Sequence, residues 1–250
     1  LGRDPEKFTM RDSGFNRSPV GAGPFKFKEW LSDELIRLVR NDDYWEGPAK
    51  YAEFILRIIP DTLTQEMAFY AGTVDSYGAG THQVERLRKD PRFQVFSGLS
   101  FGYTYIGYNM RREPFKDVRV RRALSMAVDT RKIHKYVLNG EAEDITGPFV
   151  KQSDHYNRLV KPLPYDKKGA ERLLHEAGWK KVNGKMVKNG KRLAFKLVTN
   201  NGNDARKAIS QVVQDAWKGI GIKVNLDRVE WAVFLEKYIN SLNFDAVILG

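Results

Sequence analysis

Four histidines, His82, His134, His155 and His175, are the residues best able to move protons or hold a metal at neutral pH. They stand far apart along the chain, and none shows HExxH or another metal-ligand spacing. Cysteine does not occur, so disulfides, thiolate zinc sites and cysteine nucleophiles are excluded. There is no GxSxG elbow and no Walker loop. The glycines of "GAGPF" (Gly21, Gly23) lack the third glycine of a dinucleotide fingerprint, and an alternating strand pattern follows them, not a helix. Acidic pairs such as Asp42–Asp43 and Glu141–Glu143 are ordinary for a chain with 31 acidic residues. No nucleophile assembles with a base. The reading is a non-enzyme without a cofactor or metal. The polar types that remain suit binding: Asn200 and Asn201 in "NNGND", and Trp231 in "VEW". Amides hydrogen-bond carbonyls and amines, and an indole face covers apolar surface. The same residues also read as a turn with a helix cap and as helix-face packing, and both readings stand.

The elements that would position them follow from periodicity. Leu193–Thr199, Ile222–Leu226 and Phe244–Leu249 read as strands. Between them, Ile209, Val212, Val213 and Ala216 mark one helix, and Trp231, Phe234, Leu235, Tyr238 and Ile239 mark another. This is a βαβαβ unit, hence a parallel sheet with right-handed crossovers, whose ligands bind beyond the carboxyl ends of the strands. Asn200, Asn201, Trp231 and Gly250 fall at those ends.

Upstream, Val120, Leu124, Ala127 and Val128 form one helical stripe, and Asp166 caps a helix with the stripe Ala170, Leu173, Leu174 and Ala177. Asn183-Gly184 and Asn189-Gly190 each predict a type I′ hairpin turn. Residues 140–164 read as a long ordered loop. Phe93–Met110 reads as two strands or one bent strand, and "TVDSYG" as a short β-like piece. A short helix is expected over Gln83–Lys89. In the N-terminal part, Glu53–Pro60 reads as a strand and Asp61 as the cap of a helix that carries Leu63, Met67, Tyr70 and Ala71. The turn of Ser18–Pro24 leads into a strand whose Phe25, Phe27 and Trp30 are expected to bury in a sheet.

The chain has 250 residues, room for one large or two modest domains, and a net charge of +11. The charge suits either a solvated basic surface or a nucleic-acid or anionic-membrane partner. The densest cluster, Arg119, Arg121 and Arg122, lies inside an apolar-periodic segment and has no zinc-finger, RNP or basic-zipper pattern around it. No apolar run is long enough to span a membrane. The opening "LGRDPEKFTM" has neither an apolar signal core nor an initiator methionine, which reads as a processed or excised piece.

Taken in order, "PVGAGPFKFKEW", "RNDDYW", "FYAGTVD", "YIGYNMRREPFKDVRVRRALSMAVD", "YDKKGAERLLHEAGW" and "FDAVILG" resemble the signature blocks of the family 5 extracellular solute-binding proteins, the oligopeptide-, dipeptide- and nickel-binding components of ABC importers. The resemblance covers nearly the whole chain. It implies an α/β, two-lobed fold of the periplasmic-binding-protein type (class II), incomplete here. Residues 1–102 would belong to a first lobe of mixed sheet and helices, and 103–250 to the N-terminal part of a second lobe containing the βαβαβ sheet. It further implies hinge closure near Ser100–Tyr105, an acidic ligand residue beyond Gly250, and a periplasmic or extracytoplasmic place. The implied partners are a small peptide-like solute and a membrane permease, with no nucleic acid, for a monomer. The candidate ligand residues under this reading are Tyr77, Tyr103, Tyr105, Asn200, Asn201, Trp231 and Gly250. The rival reading is a basic nucleic-acid- or anionic-surface-binding module.

Overall fold

The computed structural model describes residues 13–250. The chain divides into two compact units, the first ending at Gly78 and the second running from Ala79 to Gly250.

In the first unit, β1 (Phe25–Leu31), β2 (Leu35–Arg40) and β3 (Glu53–Arg57) form an antiparallel sheet in that order. A bulge between Phe27 and Glu29 shifts the register, so Trp30 opposes Ile36 just as Phe27 opposes Leu38. The extra residue explains how a spacing of three keeps Trp30 on the face of Phe25 and Phe27. Phe25 and Phe27 are half-buried, but Trp30 is 37% exposed, with the Arg17 guanidinium 4.0 Å above its ring. The expected burial of Trp30 is therefore corrected: a cation–π contact covers it in place of core packing. Helix α1 (Thr62–Tyr70) is capped as expected, the Asp61 carboxylate accepting from Thr64 N–H at 2.8 Å. Its Leu63 and Met67 remain exposed. "TVDSYG" forms no strand.

The second unit opens with α2 (Val84–Lys89). Of Phe93–Met110, only β4 (Tyr105–Tyr108) is a strand. Residues 93–104 do not pair: Gly98 and Gly102 interrupt them, and Phe96 and Phe101 stay exposed. β-Propensity without a neighbouring ladder leaves irregular chain. Helices α3 (Val118–Met126) and α4 (Thr130–Tyr136) follow, then a segment without helix or strand over 140–164, then α5 (Lys167–Glu176). The strands β5 (Lys180–Val182), β6 (Lys185–Lys188) and β7 (Lys191–Arg192) make a ribbon with both Asn-Gly pairs at its turns. All four turn residues have positive φ, 49° and 74° in the first turn and 53° and 74° in the second, as a type I′ turn demands.

Then come β8 (Ala194–Asn200), α6 (Asp204–Gly219), β9 (Lys223–Val229), α7 (Trp231–Val233) and β10 (Ala246–Leu249). The sheet order is β4-β10-β8-β9. β10 and β9 both run parallel to β8, and β4 lies antiparallel to β10. The helix read from Trp231 to Ile239 is one turn of α-helix followed by a π-helical stretch, Phe234–Asn240.

The sheet is covered on both faces. Phe195, Leu197, Ala246 and Ile248 meet α3, α5 and α6 through Leu124, Leu174, Val213 and Trp217, while Val198 and Val247 meet Phe234 and Tyr238. This is why β10 reads as a continuous apolar run. The ribbon is locked beneath α6 at Gly221, whose carbonyl accepts from Met186 N–H at 3.0 Å. Gly221 has φ +88°, and a Cβ there would sit 2.8 Å from Gly184 O and 3.1 Å from Met186 N, both backbone atoms. Gly221→Ala is expected to cost about 2–4 kcal/mol, from left-handed strain and overlap together. A fall in the urea midpoint at unchanged slope checks this; a loss near zero would mean that the ribbon swings aside freely.

Candidate functional site

The carboxyl edge of the parallel strands gathers the site. β8 ends at Asn200, β9 at Val229 and β10 at Leu249. β4 is antiparallel, so its first residue, Tyr105, opposes Leu249 at the same edge. The Tyr103 and Tyr105 rings lie 5.5 Å apart, and Tyr105 is 41% exposed. Gly250 lies against this pair: a Cβ on it would be 2.7 Å from Thr104 Cα. Any side chain would push residues 103–104 away, so close backbone approach requires glycine.

One residue joins these parts that sequence reasoning did not single out. Asn203 caps α6, its side chain accepting from Arg206 N–H at 2.9 Å, and the first turn of the helix then aims the Arg206 guanidinium along the strand edge. Arg206 donates to Asn200 Oδ1 at 2.8 Å and to the Gly250 carbonyl. Its Nε is buried and has no hydrogen-bond partner. Burial draws its pKa below the usual arginine value, and the neighbouring Tyr105 phenol acts in the opposite sense. Nothing in "NDARK" marks this arginine; only the fold brings it beside Asn200 and Gly250.

The asparagines serve both readings. Asn200 Nδ2 donates to Asn201 O at 2.7 Å, and Asn201 N–H donates to Val229 O at 2.7 Å, so both tie β8 to its surroundings. Asn203 is the cap. Trp231 stands at the β9 end, 44% exposed, its ring 5.9 Å from Phe234, where Glu230 caps α7.

A cavity of about 980 Å³ opens beside Tyr103, Tyr105 and Gly250. Leu124, Val128, Ile133, Val213 and Ile248 make its apolar floor, and residues 98–106 without Phe101 and 141–152 without Phe149 make its walls. This volume is at the upper end for small-molecule sites. The 141–152 wall is tied down by Arg88 to Glu141 at 2.8 Å and by Gln152 Nε2 to Ser100 O at 2.8 Å, Lys151 pairs with Glu143 at 2.8 Å within it, and His134 Nε2 lies 3.4 Å from Asp144. Thus Tyr103, Tyr105 and Gly250 share one cavity, and Asn200 joins them through Arg206. Asn201 and Trp231 share the strand edge but not the cavity lining. Tyr77 belongs to the first unit, its ring 4.9 Å from that of Phe69.

The opposite end of the sheet is structural. Asn109 Nδ2 donates to the carbonyls of Leu242 and Phe244, both at 2.9 Å, and Arg112 pairs with Asp245 at 2.9 Å. Two members of the arginine cluster are also engaged: Arg119 with Asp117 at 2.7 Å and with Glu176 O, and Arg121 with Phe115 O. Among the described residues no group of three or more histidine and acidic side chains is placed to hold a metal ion, and no helix is long and apolar enough to cross a membrane.

A parallel-strand edge with a large cavity and an aromatic pair is where an α/β fold usually places a ligand site. Residues 3–250 match the family described as "Bacterial extracellular solute-binding proteins, family 5 Middle", and the chain belongs to that family. It is 37% identical over 248 residues to the oligopeptide-binding protein AppA of Bacillus subtilis, covering 96% of this chain and 46% of that protein. Heme-binding protein A of Haemophilus influenzae is 30% identical over 222 residues, 88% of this chain and 39% of its own length. The chain thus spans less than half the length of these curated relatives. Among solved structures, AppA of B. subtilis in complex with a nonapeptide superposes with a TM-score of 0.79, covering 91% of this chain and 46% of that one. NikZ of Campylobacter jejuni in complex with Ni(L-His) superposes with a TM-score of 0.87 at 26% identity, covering 98% and 49%.

Proposed function

We propose that the intact protein is the solute-binding component of an ABC importer. It captures a peptide-like solute and passes it to a membrane permease, working outside the cytoplasm as a monomer and catalysing no reaction. In this reading residues 1–102 contribute to one lobe and 103–250 to the other, and closure bends the chain near Ser100–Tyr105. The observation that carries the proposal is the meeting of Tyr103, Tyr105, Gly250 and the Arg206–Asn200 bridge at the carboxyl edge of a parallel sheet, beside a cavity large enough for a short peptide. Backbone of residues 98–100 and 102–104, which lines the cavity outside any ladder, pairs with a peptide main chain whatever its side chains, and the tyrosine faces cover its apolar parts. Tyr77 and Trp231 join the ligand surface in the same proposal. Peptide, rather than nickel chelate or heme, is favoured by the 37% identity to an oligopeptide-binding relative.

Thermal melting of the intact protein with mixed peptides two to nine residues long tests it. A bound peptide at about 100 times its Kd stabilises the folded state by about 2.7 kcal/mol, a shift of several degrees. A folded protein whose melting no peptide length moves, while a metal chelate or heme does, would reassign the solute; no shift with any solute would remove the binding role.

A further inference from the structure

The ribbon β5–β7 carries charge that its fold does not use. Between Trp179 and Arg192 lie Lys180, Lys181, Lys185, Lys188, Lys191 and Arg192, and no acidic residue. Met186 is fully buried, which turns Lys185 and Val187 outward. Val182 opposes Lys185, while Lys180 and Arg192 oppose Val187 from either side. The outward face is therefore three cations, Lys180, Lys185 and Arg192, around Val182 and Val187, with Val182 51% exposed.

Two of the six cations have internal roles. Lys181 pairs with Glu171 at 2.7 Å, and Lys188 Nζ donates to Ala177 O at 2.8 Å at the end of α5. The side chains of Lys180, Lys185, Lys191 and Arg192 form no ion pair or hydrogen bond among the described residues. Lys191 opposes Lys188 on the other face, that of Met186, where Lys188 is already engaged. On the outward face Lys180, Lys185 and Arg192 stand together without a counter-charge, which suits an external anion.

We propose that the outward face of the β5–β7 ribbon docks on an anionic phospholipid surface. The face belongs to a three-stranded antiparallel ribbon. Two of its three cations are lysines, compact charges on flexible stems that follow a diffuse headgroup layer. The small valines at its centre suit the apolar region just below the headgroups. The surface would hold a solute carrier close to the bilayer that contains its permease. The proposal rests on the importer reading only for that purpose; vesicle binding and peptide binding are separate measurements and fail separately.

Sedimentation of the intact protein with phosphatidylcholine vesicles, with and without phosphatidylglycerol, tests it at low salt. Binding is expected only with phosphatidylglycerol and weakens as salt rises. Each membrane-facing cation contributes about fivefold, so combining Lys180→Gln, Lys185→Gln and Arg192→Gln is expected to weaken partitioning about a hundredfold. The set Lys50→Gln, Lys132→Gln and Lys161→Gln removes the same net charge from exposed positions elsewhere and is expected to change it no more than about twofold. Equal losses in both sets would reduce the effect to net charge and overturn the proposal. So would equal binding to both vesicle types, or binding to poly-glutamate as tight as to vesicles with the same dependence on the ribbon, which would point to an acidic protein partner.

Discussion

Trp217→Ala lowers the unfolding free energy of the second unit by about 5 kcal/mol, enough to unfold a marginal domain. Trp217 is fully buried where α6 crosses the sheet. Its ring stands edge-on to Phe195 at 5.3 Å and lies 6.5 Å from Tyr108. Its Nε1–H donates to Leu124 O at 2.9 Å, fastening α6 to the end of α3. Alanine removes the ring, leaves a cavity between three layers and strands a buried carbonyl; the first two effects give about 3–5 kcal/mol and the last about 1–3. Trp217→Phe separates them, because it keeps most of the packing and loses the hydrogen bond, with an expected cost of about 1–2 kcal/mol. Urea unfolding of both variants, followed by tyrosine and tryptophan fluorescence, checks the pair. If the phenylalanine variant lost as much as the alanine variant, the hydrogen bond rather than the ring would be holding α6.

The order of elements in the second unit was legible because its signals are local and repeated. The stripe of Val120, Leu124, Ala127 and Val128 needs nothing beyond helical spacing, and all four residues are buried. The Asn-Gly turns need only positive φ at two positions. The strand-helix alternation after Leu193 leads directly to the parallel sheet and to its carboxyl edge. What failed depended on neighbours distant in sequence. Phe93–Thr104 has strand composition but no strand beside it, and composition cannot supply a partner. Trp30 shares a face with Phe27 through a bulge, which a period-two reading does not count. At the strand edge, "NNGND" read equally as ligand-facing amides and as a turn with a helix cap. The structure divides them: Asn203 caps a helix, and Asn200 meets Arg206. That arginine is one of 42 basic residues, and its importance comes from geometry alone.

Arg206→Ala is accordingly expected to weaken peptide binding by the intact protein about a hundredfold while changing its melting temperature only modestly. The guanidinium donates to Asn200 Oδ1 and to the Gly250 carbonyl, and so fixes the ends of β8 and β10 relative to each other beside Tyr105. Hydrogen bonds from a charged donor contribute about 1.5–3 kcal/mol each. Without them, both strand ends must be ordered when the solute binds, and that cost appears in affinity rather than in the fold, whose core lies elsewhere. Arg206→Lys keeps the charge but not the planar fork, so it can hold one acceptor and not both, and recovery to about a tenfold loss is expected. Calorimetric titration with the peptide that stabilises the wild-type protein, set against Gly221→Ala as a destabilised variant remote from the edge, distinguishes the cases. A Gly221→Ala protein that binds normally, beside an Arg206→Ala protein that does not, assigns the loss to pre-organisation of the strand edge. Equal affinity loss in both would make general instability the cause, and unchanged affinity in Arg206→Ala would place the peptide away from this edge.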